Sequence, residues 1–327
     1  MRPVALVPLL VLVLPASALA QEPTTPSTPT TPETGAPVSA PSGGTLSLSL
    51  TGTYRSGGIA FVGDDISIRG VVDPVAAGEQ VEVKITRGRK TVRDKTLTVG
   101  ADGFQLTYRS RKRGTLKISA RHEASPNQVE MKATPLKLDL VRPSVHRGGR
   151  GAVVRFMQQR LASLHYLVPT SGHYDGGTGR AVLAYRKVNR MPRTMSANRA
   201  VLLRLADGRG DFRPRYPDVG KHVEADLGRQ VLALINPGGN VYKTLHMSSG
   251  KPSTPTVMGT FHFYMKEPGT NAKGMLDSNY FIRGYAIHGY PEVPTYAASH
   301  GCLRIPNASA AFVFGWINIG DRIDVYR

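Results

Sequence analysis

His288-Gly289-Tyr290, followed nine residues on by Ser299-His300-Gly301-Cys302-Leu303-Arg304-Ile305-Pro306-Asn307, is the stretch from which the chain is best read. Cys302 is the only cysteine in 327 residues, with one histidine two positions before it and another fourteen before it. A thiol near an imidazole can pass its proton to it, because thiolate and imidazolium stabilise each other. Gly301 allows a close backbone approach and dihedrals closed to other residues, so its amide and that of Cys302 are placed to face a developing oxyanion. Gly289 gives the same freedom beside His288. Residue chemistry alone leaves other readings open. A lone cysteine packs as an inert apolar group, and a His/His/Cys set is also the donor set of a zinc site.

Strand patterns surround this stretch. Val231 to Ile235 and Val241 to Met247 flank the turn Asn236-Pro237-Gly238-Gly239. Further β runs are predicted over Gly259 to Lys266, Tyr285 to His288 and Arg322 to Tyr326, with a short helix from Ala308 to Ile317 capped by Asn307. Residues 218–327 therefore read as a mostly-β domain with one short helix.

Upstream, residues 142–217 change to helical periodicity. Val154, Met157, Leu161 and Leu164 share one face, and Ala181, Ala184, Tyr185 and Val188 a second. A third helix is expected to carry Val201, Leu202 and Leu205, with Ser196 as N-cap and Asp207-Gly208 as its end. Residues 45–141 alternate with period two, as in Leu46/Leu48/Leu50, Ile66/Ile68, Val81/Val83/Ile85, Phe104/Leu106/Tyr108 and Leu116/Ile118. Such runs, punctuated by Asp73-Pro74 and Asp102-Gly103, predict an Ig-like antiparallel β-sandwich of about seven strands. Residues 21–44 are a Pro/Thr-rich linker. Residues 1–20 read as a signal peptide: Arg2, an apolar run from Val4 to Leu14, and Ala18-Leu19-Ala20 before the cleavage site. The expected product is exported to the cell wall or periplasm, with no membrane span after cleavage, because the apolar run is short for a bilayer.

The net charge of +19 is concentrated: residues 142–217 carry +12, 45–141 carry +6, 218–327 carry +2 and 1–44 carry −1. On an exported protein this charge reads as attraction to anionic wall polymers, screened by salt. Nucleic acid is not an expected partner, since no recognisable motif interleaves aromatics with the basic residues. A single cysteine also excludes an intramolecular disulfide.

The order His-Gly, Ser-His-Gly-Cys-x-Arg-x-x-Asn resembles the active-site signature of the YkuD-type L,D-transpeptidases. Ser248-Ser249-Gly250-Lys251-Pro252, Thr254-Pro255 and Gly259-Thr260-Phe261 are similar to that family's upstream stretch, with Met258 standing where a smaller residue is usual. The resemblance covers roughly 218–327. Gly172-His173-Tyr174-Asp175-Gly176-Gly177-Thr178-Gly179, between the first two helices, resembles the loop of the small three-helix peptidoglycan-binding domain. There, Met191-Pro192-Arg193 replaces a second Asp-Gly loop.

The first resemblance implies Cys302 as nucleophile, His288 as general base and then acid, and His300 as an orienting group. It implies Gly301, with the Cys302 amide, as the oxyanion hole, Ser299 and Gly289 as loop support, and Arg304 and Tyr290 as substrate contacts. An ion pair is an alternative role for Arg304. The implied reaction attacks the third residue of a peptidoglycan stem peptide, releases the terminal D-Ala, and passes the thioester to a second stem to form a 3→3 cross-link. No cofactor and no metal is implied. Water as acceptor would make it an L,D-carboxypeptidase, and a vestigial Cys302 would leave a non-catalytic wall-binding protein.

Overall fold

The structure is a computed structural model that describes residues 41, 43–54, 58–75, 77–126 and 128–327. The predicted signal peptide and nearly all of the linker lie outside the described residues.

Alternation sets the first part. β1 (Thr45–Thr51), β3 (Asp65–Asp73) and β6 (Phe104–Arg109) form one antiparallel sheet in the order β1-β3-β6. β2 (Ile59–Phe61), β4 (Gln80–Arg87), β5 (Lys90–Thr98), β7 (Gly114–His122), β8 (Met131–Lys132) and β9 (Leu136–Val141) make a second, ordered β2-β9-β7-β4-β5 with β8 beside β7. Their inward residues Ile66, Ile68, Val81, Val83, Ile85, Leu116 and Ile118 are buried in one apolar cluster, as period-two strands with one face covered require. The sequence led to about seven strands; the additional ones are the short β2 and β8.

Three helices follow: α1 (Ala152–Ser163), α2 (Gly176–Val188) and α3 (Arg199–Ala206). The predicted faces are buried: Val154, Met157 and Leu161 on α1, Ala181, Ala184 and Tyr185 on α2, Val201, Leu202 and Leu205 on α3. Asp175 caps α2 by accepting from Thr178 N. The cap of α3 corrects the sequence expectation: Asn198, not Ser196, accepts from Val201 N at 3.1 Å. Both residue types favour N-caps, and local preference does not separate two of them two positions apart. Ile59 and Phe61 of β2 are buried in the helical cluster, with Phe61 edge-on to Phe156 at 5.9 Å between ring centres. Sandwich and helices thus share apolar surface, and residues 41–327 form one unit.

The last part holds β10 (His222–Asp226), β11 (Val231–Ile235), β12 (Val241–His246), β13 (Gly259–His262), β14 (Met265–Thr270), β15 (Leu276–Ile282), β16 (Tyr285–Tyr290), β17 (Leu303–Pro306), α4 (Asn307–Trp316) and β18 (Arg322–Tyr326). They build a five-stranded sheet, β12-β11-β10-β18-β13, and a four-stranded sheet, β14-β15-β16-β17. Inward residues of both, with Val313 and Ile317, make one core.

Several local expectations are corrected here. The run Gly259 to Lys266 is two strands in different sheets. β10, β15 and β17 went unread. Asn307 is the first residue of α4 and makes no capping bond; Pro306 is at the cap position.

Candidate active site

β16 and β17 are parallel neighbours, with Ile287 opposite Leu303, His288 opposite Arg304 and Gly289 opposite Ile305. Because side chains alternate across a strand, Ile287, Gly289, Leu303 and Ile305 share one face. Ile287, Leu303 and Ile305 pack into the core with Val313 and Ile317. Burying each is worth about 1.5–3 kcal/mol, which fixes the register. A Cβ on Gly289 would lie 2.7 Å from Ala310 Cβ, so a side chain there would push α4 off the sheet.

The opposite face receives Ala286, His288, Tyr290, Arg304 and, one residue before β17, Cys302. The contacts agree. The Arg304 guanidinium lies 4.0 Å over the Tyr290 ring, and the His288 ring stands edge-on to Tyr290 at 5.8 Å. Cys302 packs beside Met275, Tyr280 and Ala286. A one-residue slip in β17 would turn Arg304 into the core and Ile305 out. Of the two roles open to Arg304, the ion pair finds no support: no carboxylate pairs with it among the described residues.

Ser299 organises the loop before Cys302. Its buried hydroxyl donates to Cys302 O at 2.5 Å and accepts from Gly301 N at 3.1 Å. In this arrangement the Gly301 amide, expected as an oxyanion donor beside that of Cys302, is engaged by Ser299. Gly301 has φ +120°, and a Cβ there would fall 2.2 Å from the Tyr285 ring; only glycine fits. Thr256 Oγ1 donates to Gly301 O at 2.7 Å and accepts from Gly250 N at 2.9 Å. Ser248 exchanges backbone bonds with Arg304 in both directions at 2.9 Å. The Ser248-Ser249-Gly250 stretch thus supports the Cys302 loop from beneath.

His288 is buried, and its Nδ1 lies 2.9 Å from Gly289 O. A carbonyl only accepts, so Nδ1 carries the hydrogen and Nε2 has the free lone pair. Burial pushes the His288 imidazolium below its usual range, against the Gly289 carbonyl and with help from the positive Arg304. Burial pushes the Cys302 thiol up, opposed by the Ala286 N–H, Arg304 and Lys273. The Cys302 thiol donates to Gly284 O at 3.6 Å. Burial thus works against both the imidazolium of His288 and the thiolate of Cys302.

His300 is exposed, and no hydrogen bond ties it to Cys302 or His288 among the described residues. Among the described residues no group of three or more His, Cys, Asp or Glu converges to hold a metal ion. Sequence reasoning missed Gly284 and Ala286, whose backbone groups meet the thiol; backbone contacts leave no mark on residue type. It also missed Gln230, which binds Ser249 through both Oε1 and Nε2 at 2.9 and 2.6 Å.

Residues 220–325 match the family of YkuD L,D-transpeptidase catalytic domains. L,D-transpeptidase 1 of Mycobacterium tuberculosis is 32% identical over 112 residues, which are 28% of this chain and 45% of that protein. The chain thus spans less than half the length of the curated relatives it matches. A crystal structure of an L,D-transpeptidase (residues 123–326) from Xylanimonas cellulosilytica aligns with 32% identity and a TM-score of 0.52. It covers 56% of this chain and 97% of that one, a longer share of this chain than the family match alone. With 32% identity over an alignment that takes in 97% of that structure, the chain belongs to the L,D-transpeptidase family, with a YkuD catalytic domain at residues 220–325.

Proposed function

We propose that the chain is a cysteine-dependent L,D-transpeptidase that cross-links peptidoglycan stem peptides. The observation that supports this best is the shared face of β16 and β17 that carries His288, Tyr290 and Arg304, with Cys302 at its edge. Cys302 Sγ gives its proton to His288 Nε2 and attacks the carbonyl of the third stem residue. The Cys302 N–H donates to the oxyanion. Collapse breaks the amide bond to the terminal D-Ala, whose nitrogen takes the proton from His288. The amine of a second stem then attacks the thioester, the C–S bond breaks, and the proton returns through His288 to the thiolate. The product is a 3→3 cross-link. Arg304 and Tyr290 contact the substrate, a stem carboxylate being the natural partner of the exposed edge of the guanidinium.

Because burial works against both charged forms, the proton transfer is completed only as the carbonyl takes up charge, which makes it general-base catalysis. Residues 45–141 are read as an Ig-like spacer. The helical segment 142–217, with +12 of charge, is read as a wall-binding module that meets anionic polymers, on a protein exported by residues 1–20. Among the described residues no helix is long and apolar enough to cross a membrane.

The test is to incubate the protein and Cys302→Ala with tetrapeptide-stem muropeptides and resolve products by mass spectrometry. D-Ala loss with a 3→3 dimer, absent in the variant, is expected. D-Ala loss without dimer would mean an L,D-carboxypeptidase, and no reaction in either would mean a wall-binding protein.

A further inference from the structure

The loop of residues 291–298 joins β16 to the Ser299–Cys302 turn. Its carbonyls are held from two sides: Tyr296 O accepts from Ser248 Oγ at 2.6 Å within the catalytic domain, while Val293 O and Thr295 O are tied, indirectly and directly, to the helical segment. Lys187, on the last turn of α2, is buried, and its Nζ lies within hydrogen-bond distance of three groups: Gln230 O at 3.0 Å, Met247 O at 3.0 Å and His246 Nδ1 at 2.7 Å. His246 carries its hydrogen on Nε2, which lies 2.9 Å from Val293 O, a group that only accepts. Two residues on, Thr295 O accepts from Arg193 at 3.0 Å, while the same guanidinium binds Gly228 O at 2.8 Å. The helical segment is docked for this purpose: Thr244 N donates to His165 O and Leu167 N to Thr244 O, pairing the α1–α2 connection with β12.

α2 otherwise packs against β12 and β11. A cavity of about 380 Å³ separates α2 from α4, lined by Ala181, Leu245, His246, Pro306 and Phe312 among others. A displacement of the helices therefore reaches the loop through the polar links and through β12, and not by packing against α4.

Resting on the transpeptidase reading, we propose that Lys187, His246 and Arg193 are positioning residues through which the helical segment sets the shape of the substrate cleft, by holding Val293 and Thr295 of the 291–298 loop. None of the three touches the reacting atoms. Their loss loosens stem binding and the choice between stem amine and water, while the thiol itself keeps its reactivity.

The experiment uses the full chain as wild type, Arg193→Ala and Lys187→Met. Arg193 is exposed and its removal leaves no buried group behind, so this variant covers the case in which Lys187→Met fails to fold. Amide hydrogen exchange of residues 292–298 is compared with that of β11, and donor KM, kcat, the dimer-to-hydrolysis ratio and the rate of Cys302 alkylation by iodoacetamide are measured. Exchange in the loop is expected to rise about tenfold with β11 unchanged, KM to rise about fivefold, the dimer share to fall, and alkylation to stay within about twofold. Unchanged loop exchange in folded Arg193→Ala, or faster exchange in the loop and β11 alike, overturns the proposal. If wild type forms no cross-link, the transpeptidase reading fails separately, and the exchange comparison still decides whether the loop is held from α2.

Discussion

Replacing Ser299 with alanine removes the hydroxyl that ties the nucleophile's own backbone in place. Two bonds are lost together, the 2.5 Å bond to Cys302 O and the 3.1 Å bond from Gly301 N. An unmatched buried donor or acceptor costs about 1–3 kcal/mol. The Cys302 carbonyl is less enclosed than the Gly301 amide, so the expected loss of stability is about 2 kcal/mol, toward the middle of that range. For a unit of this size each kcal/mol lowers Tm by about 2–4 °C, so a fall of about 4–8 °C is expected. Activity should suffer more. Misplacing a reacting group by about 1 Å costs on the order of 10²-fold, and here both the sulfur and its N–H are released. Muropeptide turnover by Ser299→Ala should therefore fall about a hundredfold in kcat/KM, with the thiol still accessible to alkylation. Turnover within about twofold of wild type, measured by D-Ala release on folded protein, would refute this; the Gly301 amide, freed from Ser299, would then be serving the oxyanion as the sequence suggested.

Gly301→Ala places its Cβ against the Tyr285 ring at a φ of +120°; strain of about 1–3 kcal/mol is expected, seen as a lower Tm with D-Ala release abolished, and unaltered turnover would contradict it. Arg304→Gln removes a cation that holds the Cys302 thiol down, so the pH profile of Cys302 alkylation, already displaced upward by burial, should move to still higher pH, with a raised KM for the donor stem. Burial, then the neighbouring positive Lys187, pushes the His246 imidazolium down to about 3, whereas the unfolded chain binds that proton at the ordinary value of about 6.5. The unfolded state thus takes the proton first, and the stability His246 contributes is complete above pH 6.5 and lost as pH falls toward 3. Lys187, pushed down by burial to about 6, acts in the same sense between its ordinary value and 6. Tm should accordingly drop steadily on acidification from pH 6.5 to 4, and a flat Tm over that window would show that the buried pair accepts protons freely.

The site was legible where chemistry and spacing coincide, and illegible where tertiary contacts satisfy polar groups. His288, Gly301 and Cys302 stand out because a lone thiol that follows two His-Gly pairs has few uses. Yet the strand that presents Arg304 went unread, since Leu303-Arg304-Ile305-Pro306 looks like a motif tail until Ile287 and Gly289 supply its register. β10 was hidden because His222, Glu224 and Asp226 interrupt its apolar pattern. Glu224 is fully buried and accepts from Arg215 N, Tyr216 N and the Tyr326 hydroxyl, which no local rule anticipates. The directions in which burial moves the Cys302 thiol and the His288 imidazolium could not be read either, because they depend on how much water the fold removes. Lys187 lay unnoticed on the predicted helix; only the three groups around its Nζ distinguish it from a surface lysine.

The central claim is that Cys302 carries the stem peptide as a thioester. Intact-protein mass spectrometry, after brief mixing with a tetrapeptide-stem donor and acid quench, tests it directly. The account predicts a mass increase equal to the stem less D-Ala, mapped by proteolysis to Cys302, reversed by hydroxylamine and absent in Cys302→Ala. Turnover of the donor with no adduct under any quench, or an adduct that persists in Cys302→Ala, would contradict it.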